Sequence, residues 1–94
     1  MILHKVSTSP FADNGISQCL GRIQPTDKLL LTQDAVYAMQ NSDITDALQS
    51  LGQIYLLEDD TQARGLTIKN NLFKAISYAE FVDLTLECKQ VISW

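Results

Sequence analysis

Lys28-Leu29-Leu30-Leu31-Thr32-Gln33-Asp34-Ala35-Val36 is the stretch on which the fold turns. Three consecutive leucines between a lysine and polar residues read as a short strand over Lys28–Thr32, buried on both faces, because a strand with one wet face alternates. Asp34 is placed to cap a short helix through Ala35 to Met39. A strand buried on both faces that runs directly into a helix belongs to a parallel sheet covered by helices.

The same pattern recurs on either side. Ile2 to Val6 and Gln53-Ile54-Tyr55-Leu56-Leu57 read as two more strands, and Ala75 to Ser77 as a short fourth. Between the first two strands Ile16, Cys19, Leu20 and Ile23 form one apolar stripe at helical spacing, with Asp13 or Asn14 as its cap. Ser42 is expected to cap a further helix carrying Ile44, Ala47, Leu48 and Leu51, closed by Gly52. Asp59-Asp60-Thr61 reads as a helix start ended by Gly65. Tyr78, Phe81, Val82, Leu84 and Cys88 give a last amphipathic helix, followed by the apolar tail Val91-Ile92-Ser93-Trp94, which should dock on its own domain or on a neighbour. The expectation is a small three-layer α/β sandwich with a mainly parallel sheet. Strand-to-helix turns then line one edge of that sheet.

With 94 residues, 46% of them apolar, the chain has room for one domain, 1–94, around one sheet. No apolar run approaches the roughly 20 residues of a membrane-spanning helix. The opening Met1-Ile2-Leu3-His4-Lys5-Val6 lacks the basic start and small-residue cleavage site of a secretory signal, so cytosolic residence is expected. Seven Lys and Arg against eleven Asp and Glu give a net charge of −4, the wrong sign for contact with nucleic-acid phosphates or anionic lipid. Cys19 and Cys88 are read as free thiols.

Motifs for cofactors and catalysis are absent: no G-x-G-x-x-G, Walker A, G-x-S-x-G, H-E-x-x-H or C-x-x-C occurs. No cofactor is implied. His4, the single histidine, reads as a hydrogen-bonded strand residue or as a general base, and with Cys19 and Cys88 it has no metal-ligand spacing. Cys19 is the one side chain suited to carrying sulfur, with Arg22 nearby to favour a thiolate. Its stripe with Ile16, Leu20 and Ile23 favours instead an inert buried thiol. Glu58-Asp59-Asp60 follows a strand where open α/β sheets hold their functional loops, yet capping and the helix dipole explain the same acids. Arg64 is expected to pair with them.

Several landmarks recur in order: Leu3-His4, Ser9-Pro10-Phe11, Lys28-Leu29-Leu30-Leu31 with Gln33-Asp34-Ala35-Val36, Tyr55-Leu56-Leu57 before Ala63-Arg64-Gly65-Leu66, Phe81-Val82-Asp83-Leu84-Thr85, and Trp94. Their order and spacing resemble the TusB/DsrH family of small subunits in bacterial sulfur-relay complexes. The resemblance implies a DsrEFH-like fold and assembly with homologous TusC-like and TusD-like subunits into a heterohexamer. It implies that the complex relays persulfide sulfur from a TusA-like donor to a TusE-like acceptor, toward 2-thiouridine at the tRNA wobble position. The sulfur-carrying cysteine of such complexes lies in the TusD-type or DsrE-type subunit, after the third strand and ahead of a similar Arg-Gly. That place falls near Leu57 here, so this chain is expected to be non-catalytic. DsrH-type members resemble the chain at Ser17-Gln18-Cys19-Leu20, which keeps a sulfur-oxidation complex with Cys19 as a secondary persulfide carrier as the alternative. In either case Val36, Tyr37, Met39 and Trp94 are the expected interface residues.

Overall fold

The computed structural model describes residues 1–94. Five strands, β1 (Ile2–Val6), β2 (Lys28–Leu31), β3 (Ile54–Leu57), β4 (Phe73–Ile76) and β5 (Gln90–Ser93), form one sheet in the order β4-β3-β2-β1-β5. All four pairings are parallel. Helix α1 spans Gly15–Leu20, α2 Ser42–Leu48, α3 Glu58–Ala63 and α4 Tyr78–Glu87, and a 3-10 helix covers Gln33–Gln40 between β2 and α2.

The chain steps across the sheet in one direction from β1 to β4, then α4 carries it back to set β5 beside β1. Right-handed crossovers fix the face of each connection by the direction of travel, so the reversal puts α4 opposite the earlier helices. Two cores result. Val6, Leu29, Leu31, Ile54, Leu56 and Phe73 meet Ile16 and Cys19 of α1, Ala35, Val36 and Ala38 of the 3-10 helix, and Leu48 of α2. On the other face Leu3, Leu30 and Ile76 meet Leu84 and Cys88 at the α4 end. The three leucines of β2 divide between the cores, as burial on both faces requires.

Several local expectations are corrected. The tail docks on its own domain, one of the two outcomes expected, but it does so as a fifth strand that was not expected: Ile92 pairs with His4, and the Trp94 N–H donates to the Lys5 carbonyl at 2.8 Å. The segment after β2 is a 3-10 helix with Thr32 at its start, and Asp34 does not cap it. Asn41, one residue before Ser42, caps α2 by accepting from the Ile44 N–H at 3.1 Å. Asn14 sits at the start of α1 without a side-chain cap, and that helix ends at Leu20, so Ile23 reaches the core from the following turn. Gly52 and Gly65 do hold positive φ, 78° and 64°, the conformation in which a Cβ is strained.

Candidate functional site

The carboxyl ends of β2 and β3 bring together the acidic turn, Asp34 and Arg64. Arg64 Nε and Nη2 both donate to Asp34 Oδ1, at 3.0 and 2.9 Å, while Nη1 donates to the Asp60 carbonyl at 3.1 Å. Asp60 Oδ2 accepts the Gln33 N–H at 2.7 Å, where Gln33 holds φ at 48°. Arg64 therefore pairs with Asp60, as expected, but its shorter contact is to Asp34, 30 residues away in the chain. Helix α3 starts at Glu58 with Leu57 in the capping position and no side-chain cap. Asp60 instead caps the start of the 3-10 helix from across the turn. Strand β3 thus ends at Leu57 and runs straight into Glu58 of α3, with no thiol at the end of the strand.

Both cysteines are free and buried, and they lie on opposite faces of the sheet, so they cannot share a ligand or a bridge. Cys19 is 0% exposed among Ile16, Leu29 and Leu31. Burial, followed by the nearby Asp27 carboxylate, pushes its thiol pKa up to about 11, against the thiolate that nucleophilic sulfur requires. Arg22 makes no ion pair and its charge does not reach the sulfur as a stabilising influence. The Cys88 pKa is also raised, first by burial.

His4 is 2% exposed and fully engaged. Its Nε2 lies 3.0 Å from Asp27 Oδ2, and its Nδ1 accepts from Trp94 Nε1 at 3.1 Å. Sequence reasoning gave His4 its hydrogen-bonded character but missed both partners. The available signal was an aspartate placed immediately before a buried strand, together with a tryptophan carrying a single N–H donor.

Of the residues expected at an interface, Val36 is 0% exposed and belongs to the chain's own core, because the 3-10 helix turns it inward. Tyr37, Met39 and Trp94 retain part of their surface. The large exposed apolar side chains lie elsewhere: Phe11 in the loop after β1, Tyr78, Val82 and Leu86 on the outer side of α4, and Val91 on β5. The largest groove, about 470 Å³, runs past Met39, Gln40, Gly65 and Phe73, and its only titratable lining residue, Lys69, is exposed. No helix is long and apolar enough to cross a membrane.

Comparison with known proteins places this geometry. Residues 8–91 match the family described as DsrH like protein. The Protein TusB of Pectobacterium parmentieri is 39% identical over 97 aligned positions, covering 99% of this chain and 100% of that protein. The Protein TusB of Buchnera aphidicola subsp. Schizaphis graminum is 37% identical with the same coverage. Among solved structures, that of the ychN protein from E. coli superposes with a TM-score of 0.81 over 99% of this chain and 97% of its own, at 15% identity, a likeness of fold. The family match and full-length relatives agree with the parallel sheet and the ordered landmarks along it: the chain belongs to the TusB/DsrH family.

Proposed function

We propose that this chain is a non-catalytic, TusB-like subunit of a heterohexameric sulfurtransferase complex, acting as one DsrEFH-like unit beside TusC-like and TusD-like partners in the cytoplasm. In this reading the complex takes persulfide sulfur from a TusA-like donor and passes it to a TusE-like acceptor for 2-thiouridine formation at the tRNA wobble position. The chain itself contributes shape and surface. The observation that carries the reading is the lack of any usable thiol: β3 ends at Leu57 and is followed by Glu58, and Cys19 is sealed in the core with its pKa raised. Family membership supports the partners. Exposed Tyr78, Val82, Leu86 and Phe11 supply apolar surface for them to cover.

Co-expression with the homologous subunits, followed by mass determination, tests assembly. Cells carrying Cys19→Ser test the chemistry: 2-thiouridine in tRNA should persist with the complex intact. Loss of the modification in an assembled Cys19→Ser complex would make Cys19 a sulfur carrier and overturn the non-catalytic assignment.

A further inference from the structure

The three side chains of the buried polar chain come from distant places: Trp94 after β5, His4 in β1 and Asp27 before β2. An indole nitrogen only donates, so the 3.1 Å contact from Trp94 Nε1 requires a bare Nδ1 on His4. The imidazole hydrogen is then on Nε2, donated to Asp27. The two rings lie edge to edge and nearly coplanar, with centroids 6.1 Å apart and planes 18° from parallel, as an in-plane N–H···N bond requires.

We propose that Trp94–His4–Asp27 is a proton-operated latch on the edge strand β5: the strand is held while His4 Nδ1 is bare, and a proton taken up there from solvent expels the indole. A protonated Nδ1 and the indole N–H are two donors facing each other, and neither can accept. On the other side nothing is lost, because Nε2–H still donates to the Asp27 carboxylate and the new positive charge lies beside a negative one. The cost of protonation therefore falls on Trp94.

The charged and titratable groups around the imidazole agree with this. Asp27 is held ionised: burial, the largest influence, raises its pKa, but the Gln24 N–H, His4 and the Ile2 N–H together bring it below the usual carboxylate value. Cys19 of α1 stays protonated and neutral. Arg22 lines an open cavity beside the indole with Gln18 and Gly21, which gives Trp94 room to swing out. Strand β5, Gln90–Ser93, brings no charged residue, and its hold on β1 at the carboxyl end is the Trp94 N–H to Lys5 bond.

The protein has one tryptophan and one histidine, so its tryptophan emission, excited at wavelengths where its three tyrosines do not absorb, reports this site alone. From about pH 8 to about pH 5, the range in which histidine changes charge, Trp94 emission should move to the red. Protection of the Trp94 amide from hydrogen exchange should fall about tenfold, the equivalent of one net hydrogen bond, while the β2 amides hold. His4→Gln, which does not titrate, should abolish both changes. Level emission and level protection in the wild type, loss shared by the β2 amides, or a step that survives in His4→Gln would each overturn the proposal. If His4→Gln fails to fold, Trp94→Phe serves. It keeps an aromatic ring beside the imidazole without the N–H, and its β5 protection should no longer depend on pH; a fall as large as the wild type's would refute the latch.

Discussion

Asp27 accepts from the Ile2 N–H, the Gln24 N–H and His4, each at 3.0 Å, with its side chain only 4% exposed. A carboxyl whose folded pKa is depressed adds stability that is present above its unfolded value and lost as pH falls through the folded one. Asp27→Asn should therefore lower stability at neutral pH by about 1–3 kcal/mol. The same variant should lose stability less steeply than the wild type below about pH 4; urea unfolding at neutral and acid pH measures both. Gln33 gives a substitution of opposite sign. A non-glycine residue at φ 48° is strained, so Gln33→Gly should be neutral or stabilising by up to about 1 kcal/mol, where glycine ordinarily costs that much. Thermal unfolding decides the sign. For the thiols, 0% and 8% exposure of Cys19 and Cys88 predicts that neither reacts with a thiol reagent until the protein is unfolded. Cys19 was legible as a core residue from its stripe, but the Asp27 carboxylate that reinforces its inertness lies in the turn before β2, outside that stripe, and left no mark in its periodicity.

At the level of elements, the sequence placed four strands and every α-helix, because each carries its own periodicity or its own stop. Caps were less legible. Asn41 and Ser42 are both good capping residues, and only the backbone decides that Asn41 has the extended conformation from which its side chain reaches the Ile44 N–H. Asn41→Ala should accordingly cost about 1 kcal/mol, and Ser42→Ala only a few tenths, a contrast that paired chemical denaturation curves will resolve. In α4, Ser77 accepts from the Glu80 N–H, and Glu80 accepts in return from the Ser77 N–H, which lowers the Glu80 pKa. That capping box was within reach of the sequence as Ser-x-x-Glu. Asp34 and Asp60 behave differently from their local reading, since Arg64 and Gln33 recruit them across 30 and 27 residues.

For the whole molecule, the uneven covering of the sheet matters most to its partners. One face carries three connections, whereas the other carries α4 alone, whose outer residues Tyr78, Val82 and Leu86 are 63%, 41% and 79% exposed. Apolar surface of this kind marks contact with other chains. The protein expressed without its partners should therefore self-associate at micromolar concentration, and Leu86→Glu should shift it toward the monomer, as light scattering after gel filtration will show. The sequence alone determined the α/β class and the parallel sheet, because runs of buried residues alternating with helical stripes are local patterns that few other folds accommodate; the family came from the resemblance of its ordered landmark residues. It also showed that no cysteine stands at the end of β3. Only the tertiary structure decided that the apolar tail is a fifth strand, that Val36 faces inward, and that His4 is held between Asp27 and Trp94. Those outcomes rest on pairings across 23 to 90 residues, and a contact between distant side chains has no period along the chain from which to read it.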